Sequence, residues 1–136
     1  MVLDGRAEDK FEALQLYTNK IKGMVPKSFA DYSKSAVIKD ATERNLQLIS
    51  DAELDLLAYL YKKVGKEAII SENSLPEKLA GVLNKEVLEG YKRRRELRNK
   101  LVHAYKIAAL DKDIFEQASN LKDVEDFKRA VERAIG

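Results

Sequence analysis

From about Phe29 to Val64 the chain carries Val37, Ala41, Leu46, Ile49, Leu56, Leu57, Leu60 and Val64 at helical spacing, and Gly65 supplies the stop. A stretch of that length and period predicts a long amphipathic helix, because strand side chains would alternate with a period of two. Leu48, Ala52, Tyr59 and Tyr61 add apolar surface away from the stripe, so this helix should touch neighbours on more than one side. It is the natural centre of the fold.

The remaining segments follow the same period. Phe11, Leu14, Tyr17, Ile21 and Met24 predict a helix from Glu8 to about Met24, broken at Pro26. Ser74-Leu75-Pro76-Glu77 has the capping-box spacing and predicts a short helix through about Leu83. After Asn84 a further helix is expected from Lys85 to Tyr105 or slightly beyond. Asp111 and Asn120 are candidate caps for two more, ending near Ile135. No stretch reads as a strand, and no repeat is evident. The expected fold is all-α, an up-and-down bundle of five to six helices around one long central helix, in a single domain over residues 1–136.

Composition narrows the chemistry. With 136 residues and 45% hydrophobic content the chain suits one compact core. It has no Cys and one His, which excludes thiolate zinc sites, disulfides and paired-histidine metal sites. We therefore expect a mechanism without metal or cofactor. The N-terminus lacks the apolar core of a signal peptide and no apolar run reaches membrane-spanning length, so a cytoplasmic protein is expected. A net charge of +2 is close to balance, so any nucleic-acid role must rest on where charge lies.

It lies in one place. Lys92, Arg93, Arg94, Arg95, Arg98 and Lys100 stand against Glu96 alone, six positive charges and one negative in nine residues. On a helix, Leu97, Leu101, Ala104 and Ala108 fall in one stripe suited to the chain's own core, while Arg95, Asn99 and His103 form a row on the opposite side. Leu88, Tyr91 and Val102 lie near that row, giving a second, partly apolar face and a candidate dimer interface.

The basic run ends in Arg98-Asn99-Lys100-Leu101-Val102-His103-Ala104-Tyr105, an Arg-x4-His-x-Tyr arrangement holding the only histidine. Histidine exchanges protons near neutral pH and arginine binds phosphate oxygens, so the pairing suggests phosphate-ester chemistry. Each residue also has a plain structural role open to it. The arginines suit a solvated face, Arg98 a carboxylate partner, His103 a helix-end cap and Tyr105 an amphipathic core position. On an ideal helix Arg98 and His103 diverge by about 140°. They converge only if the helix unwinds before His103 or if two copies meet. The second is favoured, giving a homodimer with the Arg/His row at its interface.

The motif resembles the Arg-x4-His-x-Tyr signature of HepT-like toxins in the HEPN superfamily. The segment from Glu43-Arg44 through Asp51 to Leu56 is similar to that family's long helix, and the resemblance covers about residues 29–135. It implies a metal-independent endoribonuclease, the toxin of a toxin–antitoxin pair whose partner is a minimal nucleotidyltransferase (MNT) antitoxin. It further implies Arg98 and His103 as catalytic, with AMPylation of Tyr105 by the antitoxin as a route of neutralisation. On this reading Asn99 supports the pair, Arg94 and Arg95 attract the RNA backbone, and RNA is cut through its own 2′-OH. Two alternatives are a non-catalytic nucleotide-binding or scaffolding partner of a nucleotidyltransferase, and a nucleic-acid-binding regulator. Spread of the arginines around the helix disfavours the latter.

Overall fold

Ser35 divides the long helical stretch in two. In the computed structural model, which describes residues 5–65, 71–103 and 107–136, a short α2 (Phe29–Lys34) precedes the 30-residue α3 (Ala36–Gly65). Ser35 has extended backbone. Its N–H donates to the Tyr32 carbonyl, closing α2, while its Oγ accepts from the Ile38 N–H and opens α3. One hydroxyl that satisfies a free helix-end donor makes this break local and stable.

α1 (Gly5–Met24) packs along α3, with Phe11, Leu14 and Ile21 buried. The buried line of α3 runs through Thr42, Asn45, Ile49, Glu53, Leu56 and Leu60. Val37 lies about 120° off that line and is 79% exposed, so it is not part of the expected stripe. Thr42 and Asn45 are buried but satisfied, donating to the Ile38 and Ala41 carbonyls at 2.7 and 2.8 Å.

The capping box expected at Ser74 does not form. Ser74 Oγ instead donates to the Ser71 carbonyl at 2.7 Å, within a 3₁₀ turn over Glu72–Ser74 that leads into a single-turn α4 (Leu75–Lys78). This helix stops well before Leu83 because the chain reverses at Gly81, whose φ of +92° is the left-handed region that glycine tolerates. Asn84 then caps α5 (Lys85–Val102), its Oδ1 accepting the Val87 N–H at 2.9 Å. Asn84→Ala is expected to cost about 1 kcal/mol. A urea midpoint lowered at constant slope would report that loss, and an unmoved midpoint would show the cap to be dispensable.

A 3₁₀ turn over Ile107–Leu110 feeds α6 (Asp111–Ser119), and α7 (Lys122–Ile135) completes seven α-helices, with no strand among the described residues. Neither Asp111 nor Asn120 is the N-cap expected of it. Asp111 is the first residue of α6 and pairs with Lys39 on α3 at 3.3 Å, and Asn120 closes α6. α7 packs on α5, α3 and α1. Tyr91 of α5 stacks on Phe127 of α7 with ring centroids 6.0 Å apart. The all-α bundle around a central helix is thus as expected, with one helix more because of Ser35. No described helix is long and apolar enough to cross a membrane.

Candidate functional site

Where α3 crosses α5, consecutive arginines take opposite roles because neighbours on a helix point about 100° apart. Arg94 turns inward to Glu53, its Nε 2.8 Å from Oε1 and its Nη2 2.6 Å from Oε2. Both side chains are buried, Glu53 completely. Burial pushes the Glu53 carboxyl up from its ordinary value, against the opposing pull of Arg94. Burial also disfavours the Arg94 charge, but the Glu53 carboxylate outweighs it and raises that group too. Arg94 is therefore a structural ion-pair residue and not the RNA-backbone contact expected from the basic run. In sequence Glu53 stands between Asp51 and Asp55, and nothing local sets it apart as the buried one of the three.

Arg95 and Arg98, three residues apart, share the neighbouring face. Both reach Asp51 of α3. Arg95 Nη1 donates to Asp51 Oδ1 at 2.9 Å and lies 3.3 Å from Ser50 Oγ. Arg98 Nε sits 3.0 Å from the same Asp51 oxygen without the alignment of a hydrogen bond, so this buried N–H has no true acceptor. Arg98 Nη1 donates to Asn99 Oδ1 at 3.3 Å. Beside them a groove of about 480 Å³ opens between α5 and the turn before α4, lined by Leu54, Pro76, Arg95, Arg98 and Asn99 among others. Tyr91 also borders it. Its phenol is pushed up to about 12 by burial, so it stays neutral.

His103 ends α5. Its N–H still donates to the Asn99 carbonyl at 3.1 Å, in helical register, while its own backbone (φ −83°, ψ 12°) leaves the helix. The helix therefore does not unwind before His103, and the divergence from Arg98 is kept. The imidazole is exposed and lies outside the groove lining. Asn99 touches both, its side-chain oxygen accepting from Arg98 and its backbone oxygen from His103. The chain alone thus gathers Arg95, Arg98 and Asn99 and leaves His103 facing solvent.

Two further expectations change. Leu88 and Tyr91 are buried in the core, so of the expected second apolar face only Val102 is exposed. Helix α5 stops at Val102, short of Tyr105. Tyr105 and Ala104 lie outside the described residues, whereas Leu97 and Leu101 are core residues as expected.

No curated protein matches the chain by sequence. Solved structures do match in fold. One is a toxin–antitoxin complex with AMP-PNP, with a TM-score of 0.81 and 19% identity over 95% of this chain and 99% of that one. Another is the tri-AMPylated HEPN toxin of Shewanella oneidensis in complex with an MNT antitoxin, with a TM-score of 0.83 and 19% identity over 96% and 99%. At such identity they establish the all-α HEPN fold. The family described as Ribonuclease HepT-like matches residues 14–134, nearly the whole of the folded core, and the chain belongs to that family.

Proposed function

We propose that this protein is the toxin of a toxin–antitoxin pair, an endoribonuclease that cuts RNA without a metal at a site completed by a second copy of the chain. The observation that carries the reading is the end of α5. There Arg95 and Arg98 are held together on Asp51 beside a groove, and His103 stands exposed one turn beyond, tied to Arg98 through Asn99.

These side chains suffice for transesterification. A base removes the 2′-OH proton, O2′ attacks phosphorus, the P–O5′ bond breaks and O5′ leaves with a proton. The products are a 2′,3′-cyclic phosphate and a 5′-OH. His103 serves as the base or the acid, water takes the other proton-transfer role, and Arg98 donates to the phosphate oxygens as charge builds on them. Asn99 supports both. Arg95 attracts the RNA backbone, a role Arg94 cannot share from its buried pair. Arg95→Ala should weaken RNA binding and flatten the plot of log affinity against log salt by about one unit; an unchanged slope would remove Arg95 from the contact.

The partner on this reading is a nucleotidyltransferase antitoxin, in keeping with the complexes that share the fold. AMPylation of Tyr105, two residues beyond His103, would bring phosphate charge to the end of α5 and repel the RNA backbone.

Because Arg98 and His103 diverge on one helix, each active site would take Arg98 from one copy and His103 from the other. Mixing Arg98→Ala with His103→Ala protein tests this. Random pairing of two inactive variants should restore about a quarter of wild-type cleavage, since half the dimers carry one intact site. No recovery, with mixed dimers demonstrated, would place both groups in one chain.

A further inference from the structure

The groove beside Arg98 has a feature that phosphate binding does not use. Its lining includes Glu72 and Asn73 of the 3₁₀ turn and Asn99 of α5. Glu72 and Asn73 are exposed, and neither side chain has a hydrogen bond or ion pair to any described residue. The Asn73 backbone N–H is held by Ser71 Oγ at 3.3 Å, which holds the turn without using the Glu72 or Asn73 side chain. Across the groove, Arg98 donates to Asn99 Oδ1, which leaves the Asn99 amide N–H groups free to donate. Leu54 and Pro76 supply apolar surface between these polar groups.

A groove of about 480 Å³ with an apolar wall and a few placed polar groups has the size and character of a small-ligand site. Its continuity with Arg95 and Arg98 ties that ligand to a phosphate. We propose that the groove is a nucleobase subsite of the RNA-cleaving site and that it selects guanine next to the scissile phosphate. The inference rests on the nuclease reading for its biological setting but not for its chemistry. Guanine presents two adjacent donors, N1–H and N2–H, that match the two oxygens of the Glu72 carboxylate, and its O6 matches an amide donor from Asn73 or Asn99. Adenine and cytosine each offer an exocyclic amine without the adjacent ring N–H, and uracil offers a single N–H flanked by two carbonyls that a carboxylate repels. An unpaired base is read on just this edge in single-stranded RNA.

The test is binding of the four nucleoside 3′-monophosphates to the His103→Ala protein, followed by calorimetry or amide chemical shifts. Guanosine 3′-monophosphate should bind about tenfold more tightly than the uridine compound, with shifts at residues 72–73 and 98–99. Glu72→Gln should reduce that preference to about twofold, and Asn73→Ala should lower it less. Both positions are exposed, so folding is not at stake. Equal binding of all four nucleotides, or a guanine preference that survives Glu72→Gln, would overturn the subsite. Guanine-selective binding by a protein whose wild type cuts no RNA would sustain the subsite and sink the nuclease reading. RNA cleavage with equal nucleotide binding would do the reverse.

Discussion

His103→Ala will lower the rate of RNA cleavage by about 10²- to 10⁴-fold and leave the thermal midpoint unchanged. The loss is what removal of a proton-transfer group typically brings. The silence in stability follows from the structure: the imidazole is exposed, and what His103 contributes to the fold is a backbone N–H bonded to the Asn99 carbonyl, which alanine retains. Arg98→Ala should cost a comparable factor in rate, since forked donation to phosphate oxygens is lost, and should alter stability slightly because its contact with Asp51 is partly exposed. Single-turnover cleavage together with thermal melts of the same preparations separates the two effects. A His103→Ala protein that is folded and cuts at the wild-type rate would end the catalytic assignment.

The largest effect on stability will come from Arg94. Arg94→Met leaves Glu53 charged and alone where no water reaches it, and breaking a buried pair in this way costs about 3–5 kcal/mol, or roughly 10–15 °C in midpoint for a chain of this size. Replacing both partners, Glu53→Leu with Arg94→Met, should recover most of that loss because no charge is left to desolvate. The deficit will also depend on pH. Burial already raises the Glu53 carboxyl, and losing Arg94 removes what opposes the shift. A carboxyl raised in the folded state favours folding when protonated. That contribution is full below its unfolded value of about 4.3 and is lost as pH rises through the folded value. The gap between Arg94→Met and wild type should therefore narrow as pH falls from 7 toward 4. A gap independent of pH would mean that folded Glu53 takes up no more proton in the variant than in wild type.

The helices were legible because their cause is a repeating pattern that any position reveals. The breaks were less so. Ser35 is one polar residue within a helical run, and only its position at a helix end makes its hydroxyl a cap for Ile38. Ser74 has the capping spacing, yet the competing acceptor at Ser71 lies in a turn that sequence periodicity does not register. The site shows the same division. The placement of Arg98, Asn99 and His103 along one helix was readable from local spacing, and the 140° between Arg98 and His103 survives in the structure because His103 keeps its helical hydrogen bond. The separate fates of Arg94 and Arg95 were not readable. They depend on which α3 carboxylate each meets, Glu53 or Asp51, more than 40 residues away in the chain. Tyr91 was assigned to an outer face for the same reason, since its partner Phe127 lies on α7.

The most direct measurement is the end-group analysis of RNA cut by the purified protein in EDTA, beside DNA of the same sequence. Attack by the neighbouring 2′-OH predicts 2′,3′-cyclic phosphate and 5′-OH ends on the RNA and an intact DNA strand. Cleaved DNA, or RNA ends bearing 5′-phosphate, would contradict the mechanism assigned to Arg98 and His103.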